Sequence, residues 1–308
     1  MRVGYTTFSI VITTKNRKDD LAITLHKIRY LLKREDVACI ICDDGSTDGT
    51  FSFIKEQYPE IQLIQNPLSK GLIYSRNRLM SLVNSKYAIS IDDDLHFITK
   101  NPLEYIEDAF NKNPKIGLLG FRIFWNPQEP KIIASNHVSH RMKSFVGCGH
   151  VWQMSAWKDI PDYPDWFIFY GEEDFASCQL FKKNWEIHYL PAVLANHRVD
   201  IKSRKKNADY NIRLQRSLRA GWYLYFLFVP IKYIPRKMIY SIWIQIKTKV
   251  FKGDFKALKA LVLAFLDLVI SIPKIIKNSN RLSDFEYHEY QKLEETQLYW
   301  QPEKDIIP

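Results

Sequence analysis

Two apolar runs, "FSIVITT" (8–14) and "VACIICDD" (37–44), bracket a stretch in which Leu21, Leu25, Ile28, Leu31 and Leu32 recur at helical spacing behind Asp19 and Asp20. Strands without polar alternation are buried on both faces, and two of them joined through a helix pair in parallel. The same alternation predicts strands at 61–65 and 87–91, with helices at 19–33, 49–57 and 71–84. Residues 100–200 read as mixed, with strands near 116–124 and 187–194 and a helix near 173–184. The expected fold class is α/β: a mostly parallel sheet with helices on both faces.

Ligands of such sheets bind off the carboxyl ends of the strands. Four polar segments fall there: "TTKNR" (13–17), "DDGSTDGT" (43–50), "NPLSKG" (66–71) and "DDD" (92–94). Three adjacent carboxylates repel one another and are costly to desolvate, so they add nothing to stability at the end of a buried strand. They suit a hard divalent cation such as Mg²⁺ or Mn²⁺. An acidic rim with a basic centre fits a nucleotide diphosphate: Asp44 can accept from a base N–H, and Arg76 or Lys70 can meet phosphate. No GxGxxG follows the first strand and no GxxxxGK[ST] occurs, which argues against a dinucleotide-dependent dehydrogenase and a P-loop NTPase. A second acidic cluster, "YGEEDF" (170–175), opens the helix near 173, where a carboxylate could remove a proton from an attacking hydroxyl. His197, after a strand in "ANHRV", is a further candidate metal ligand.

The net charge of +10 is unevenly placed: residues 201–280 carry 17 Lys and Arg against three acids. There "LRAGWYLYFLFVPIKYIPRKMIYSIWIQIKTKVFKGDFKALKALVLAFLDLVISIPKIIK" alternates aliphatic and basic stretches, and Leu261, Phe265, Leu268 and Ile272 share one helical face. Amphipathic helices of this kind are too short and charged to span a bilayer and are suited to lie in its interface. The expected organisation is a catalytic domain over 1–200 and a basic helical region over 201–308. The start, "MRVGYTTFSIVITT", has too short an apolar core for a signal peptide. Cys39 and Cys42 lie inside an apolar strand, with no second pair to complete a zinc site, and read as buried thiols in a reducing cytosolic setting.

The ordered set "FSIVITTKNR", "CDDGSTDGT", "NPLSKGLIYSRN", "AISIDDDLHF", "YGEEDF" and "HYLPAVLANH" resembles the family 2 glycosyltransferases of the GT-A fold, over residues 8–200. The resemblance implies an inverting, metal-dependent transfer of a sugar from a nucleotide-diphosphate donor to an acceptor hydroxyl. Carried over by position, Thr13 and Arg17 line the nucleotide pocket, Asp44 binds the base, and Arg76 binds the base or phosphate. The "IDDD" loop matches the family's DxD element. Asp93 then faces ribose or metal, Asp94 is the direct metal ligand and Asp92 is structural. His197 matches a histidine that completes the metal or diphosphate site. The family's Glu-Asp pair, with Asp as base, selects Asp174 when matched literally and Glu173 when counted without a gap from "KKNWEIHYLP". "ASCQLFKK" lacks the Arg common later in that helix.

The implied cofactor is Mn²⁺ or Mg²⁺. The implied partners are a nucleotide-sugar donor, a glycan or lipid-linked acceptor and an anionic membrane surface. The implied place is the cytoplasm, peripheral on the inner face of the cell membrane, in surface polysaccharide or glycoconjugate synthesis. Trp125, Trp152, Trp157 and Trp166 are candidates for stacking on sugar rings. A sugar nucleotidyltransferase would want a glycine-rich basic loop after the first strand, which "TTKNRKDD" is not. A nucleic-acid-binding protein would want an exposed basic stripe rather than lysines interleaved with aliphatic clusters, so no nucleic acid is expected.

Overall fold

The computed structural model describes residues 6–199 and 210–302; the basic stretch 201–209 lies outside them. At the centre, β1 (Phe8–Thr14) pairs in parallel with β2 (Val37–Asp43) and β4 (Tyr87–Asp92), and β2 pairs in parallel with β3 (Gln62–Gln65). Beyond β4 come β8 (Gly149–Gln153), β6 (Ile116–Trp125), β9 (Glu186–His197) and β5 (Leu95–Phe97), with β7 (His140–Met142) also on β9. The order is β3-β2-β1-β4-β8-β6-β9-β5. β5, β7 and β8 run against the other six strands, so the sheet is mostly parallel.

Period-2 alternation along β1 sends its side chains to two cores. Ile10 and Ile12 join Leu21, Leu25 and Ile28 of α1 (Lys18–Leu32) and Leu103 and Ile106 of α4 (Pro102–Lys112). Val11 joins Ile73 and Leu79 of α3 (Leu72–Met80), Trp157 of α5 (Met154–Lys158) and Phe175 and Leu180 of α6 (Glu172–Lys182). Helices therefore cover both faces, with α2 (Thr50–Gln57) leading into the edge strand β3. The expected elements are found within a few residues. α3 stops at Met80 rather than 84, and β3, "QLIQ", is half-exposed because it is an edge strand. The short antiparallel strands β5, β7 and β8 escaped the sequence reading, since three to five residues carry too little periodicity.

Four helices follow: α7 (Tyr210–Phe228), α8 (Ile234–Thr248), α9 (Phe255–Asn278) and α10 (Asp284–Lys292), the last opened by a Ser283–Glu286 capping box. Leu218, Trp222 and Phe228 of α7 are buried in the same core as Phe167 and Phe175. Arg219 clamps the join: Nη2 donates to Phe167 O at 2.5 Å and Nη1 to Asp267 on α9 at 3.3 Å. The stripe expected on α9 divides. Leu261 and Leu268 are buried, whereas Phe265 is 51% and Ile272 45% exposed. Ala257, Ala260 and Ala264 are buried alongside, so the packed face centres on small residues that admit α7 and leaves Phe265 and Ile272 at its border. Among the described residues no helix is long and apolar enough to cross a membrane.

Candidate active site

The acidic triplet runs from Asp92, the last residue of β4, into the turn before β5, and that turn separates the three carboxylates. Asp93 turns inward: Thr14 Oγ1 donates to it at 2.8 Å and Arg17 Nε pairs with it at 2.9 Å. Asp94 meets His197 Nε2 at 2.8 Å and Arg17 Nη2 at 2.6 Å. Asp92, expected to be structural, shares the side of Asp94, with its Oδ2 3.9 Å from His197 Nε2. One ligand atom each from Asp92, Asp94 and His197 lie within 4.8 Å of one another. Two carboxylates and an imidazole are a donor set that fits a divalent cation of the Mn²⁺ type. Asp92 thus joins Asp94 and His197 in one cluster, while Asp93, in the turn, is held by Thr14 and Arg17.

The electrostatics agree with this division. Burial pushes Asp93 up to about 7 despite Arg17. Burial acts on Asp94 in the same direction, yet the hydrogen bond and charge of His197, with Arg17, hold it down at about 2. Burial disfavours the His197 imidazolium, but Cys148 and Asp94 raise it to about 11. Trp125 packs edge-on against His197 with ring centroids 5.3 Å apart.

Arg76 is buried and internally committed. Nη2 pairs with Asp92 at 2.9 Å and donates to Gly147 O at 2.8 Å, while Nη1 pairs with Glu172 at 3.0 Å. Arg76, expected on base or phosphate, joins the triplet to the start of α6. Glu173 lies beside it: a Cβ on Gly147 would collide with Glu173 Oε1 and sit 3.1 Å from Arg76 Nη1. Burial, then the neighbouring Glu172 charge, raises Glu173 well above the ordinary carboxylate range. Asp174 faces the other way, hydrogen-bonded to Ser144 near Lys143, and burial raises it too. Its side chain is solvent-accessible at the wall of a cavity. Just upstream, Ile168 (φ 70°) and Tyr170 (φ 72°) adopt left-handed backbone, costly for a β-branched residue, and aim α6 at the triplet.

Asp44 is also spoken for. Asn66 Nδ2, Ser69 Oγ, Lys70 N, Gly71 N and Ser75 Oγ all donate to it at 2.6–3.1 Å. These five donors tie Asp44, the expected base ligand, to the 66–71 loop. Gly45 permits the close approach, since a Cβ there would lie 2.9 Å from Ser69 N and its φ is +74°. Facing the rim with side chains not wholly buried are Thr13, which pairs in register with Asp92, together with Arg17 and Lys70. Of the four tryptophans, Trp152 and Trp157 are core and Trp166 packs on Phe167 and Tyr223. Trp125 alone of the four lines the cavity. Cys39 and Cys42 are buried and free, and burial pushes them up to about 12 and about 11.

The cavity, about 760 Å³, lies between Glu173 and Asp174 on one side and α7, α8 and α10 on the other. Sequence reasoning missed the Arg76–Glu172 brace, Asp92 and the cavity. Only the i, i+2 spacing of Asp92 and Asp94 offered a signal.

The mostly parallel sheet, with Asp92, Asp94 and His197 clustered off its strand ends and a carboxylate-led helix beside them, has the GT-A arrangement. The chain belongs to glycosyl transferase family 2, whose model matches residues 9–170, more than half of it. A curated relative, UDP-Glc:alpha-D-GlcNAc-diphosphoundecaprenol beta-1,3-glucosyltransferase WfaP of Escherichia coli, is 30% identical over 103 residues. That match spans 32% of this chain and 41% of the relative. Similar solved structures include GalNAc-T7 with UDP, GalNAc and Mn²⁺ (TM-score 0.55, 14% identity, 73% of this chain and 48% of that one). The mannosyltransferase PcManGT of Pyrobaculum calidifontis with GDP-Man and Mn²⁺ gives a TM-score of 0.53 at 14% identity, over 88% of this chain and 76% of that one. At these identities the likeness is one of fold.

Proposed function

We propose that the protein transfers a sugar, with inversion, from a nucleotide-diphosphate sugar to an acceptor hydroxyl in the synthesis of a surface polysaccharide or glycoconjugate. One observation carries the reading: a single buried side chain, Arg76, touches both the Asp92 of the metal set and the helix that presents Glu173. Family membership and the nucleotide-sugars and Mn²⁺ named for the solved relatives support it.

Asp92, Asp94 and His197 would hold the cation, which when bound supplies positive charge for the departing diphosphate. Arg17 and Lys70 add cationic charge on the same rim. Thr13 and Asp93, through Arg17, shape the nucleotide side, and Asp44 fixes the loop beneath it. Glu173 is the base, because it adjoins Arg76 and burial raises it above the ordinary carboxylate range, which strengthens it as a proton acceptor. Asp174, turned toward Ser144 and Lys143, is the alternative. The base takes the proton of the acceptor hydroxyl as its oxygen bonds the anomeric carbon, and the bond to the diphosphate oxygen breaks on the opposite side.

The acceptor is a lipid-linked or glycan hydroxyl; the diphosphoundecaprenol acceptor in the curated relative's name supports the former. Exposed apolar side chains on α8 and α9 lie among ten Lys and Arg and two acids between residues 231 and 278. This pattern supports peripheral binding to the anionic inner face of the cell membrane. Incubation with UDP-, GDP- or dTDP-sugars and Mn²⁺ should give slow donor hydrolysis that EDTA and Asp94→Ala abolish. The reading fails if none of these donors binds or turns over.

A further inference from the structure

The cavity beside Glu173 has a composition that selects its occupant. Its wall on α7 is kept open by Ala220 and Gly221: a Cβ built on Gly221 meets nothing within 4 Å. Tyr170, Tyr225 and Tyr287 line the space, and aromatic rings suit the C–H faces of sugars. Two ammonium groups line it. Lys143 is neutralised by Glu295 at 2.7 Å. Lys237 has no carboxylate partner among the described residues and stands over the rings of Tyr225 (5.5 Å) and Tyr287 (5.7 Å). Two tyrosine faces hold that charge in place without cancelling it. Lys237 belongs to α8, whose Ile239 and Tyr240 are 69% and 66% exposed. The cavity's uncompensated cation thus sits within one helical turn of an outward apolar surface.

We infer that this cavity is the acceptor subsite for a sugar carried on a lipid (di)phosphate. The sugar hydroxyl lies at Glu173, the ring stacks on tyrosine, the phosphate pairs with Lys237, and the lipid chain leaves along the exposed face of α8. This rests on the glycosyltransferase reading above and narrows its acceptor from a lipid-linked or glycan hydroxyl to an anionic, lipid-tailed one.

The test uses the full chain with Mn²⁺ and whichever of UDP, GDP or dTDP it binds, titrated calorimetrically with three probes. These are decyl-diphospho-GlcNAc, GlcNAc-1-phosphate without a tail, and neutral decyl glucoside. The first should bind at least about ten-fold more tightly than either of the others, and Lys237→Met should remove about that factor, as expected for a charge-assisted contact. Gly221→Trp, which fills the space, should abolish probe binding, while Gly221→Ala should retain it. Nucleotide binding and thermal melting report that each variant is folded. Equal affinity for the neutral glucoside, or an unaltered affinity in Lys237→Met, overturns the proposal. Tight binding of the tail-less phosphate overturns its lipid part. Absence of any nucleotide binding in the unaltered chain instead overturns the glycosyltransferase reading, and titration without nucleotide then still decides the cavity.

Discussion

Arg76 and Glu172 lie 3.0 Å apart and almost wholly buried, although 96 residues separate them in the chain. The pair ties the end of the parallel half of the sheet to the helix that carries the proposed base. Breaking a buried pair strands the remaining charge, so Arg76→Met should destabilise the fold by about 3–5 kcal/mol. Adding Glu172→Gln to it should restore part of that loss. Urea denaturation of both single variants and the double variant measures the coupling.

Substitution of the triplet should split by face. Asp92→Asn, Asp94→Asn and His197→Ala should each weaken Mn²⁺ binding, read by the metal's paramagnetic signal in titration. Asp93→Asn should leave that signal closer to the unaltered protein's, because Asp93 faces Thr14 and Arg17. A uniform loss across all four would argue against the assigned faces.

Glu173→Gln should lower kcat by roughly 10²–10⁴-fold, the range for losing a general base, and Asp174→Asn far less. A base must be unprotonated, so activity falls as pH drops through its pKa. Burial and Glu172 raise that pKa, which places the acid limb of the pH–rate profile above the ordinary carboxylate range. Glu172→Gln removes the like charge and should move the limb to lower pH. A limb unmoved by Glu172→Gln but displaced by Asp174→Asn would reassign the base.

The outer surface of α9 should bind anionic vesicles and release them as salt rises. Ile270 is 76% exposed there and Phe255 72%. Replacing an apolar side chain that inserts forfeits about 1.5–3 kcal/mol, so Ile270→Glu should cut vesicle binding by ten-fold or more without altering donor hydrolysis. Co-sedimentation at two salt concentrations decides; no salt-sensitive binding removes the membrane proposal.

Strand and helix periodicity, and the turn-forming loops between them, were legible in the sequence because they depend on near neighbours. They led to a mostly parallel sheet and to four polar loops on one rim. The direction of each polar side chain was not legible, because partners distant in the chain decide it. Asp44 is turned inward by donors 22 to 31 residues away, and Arg76 by Asp92, Gly147 and Glu172. Glu173 and Asp174 are neighbours in sequence, yet about 100° of helical rotation points one at Arg76 and the other at Ser144. Local pattern therefore determined which loops form the site. Tertiary packing determined which carboxylates face it, because a buried charge must turn toward whatever partner the fold brings within hydrogen-bonding distance.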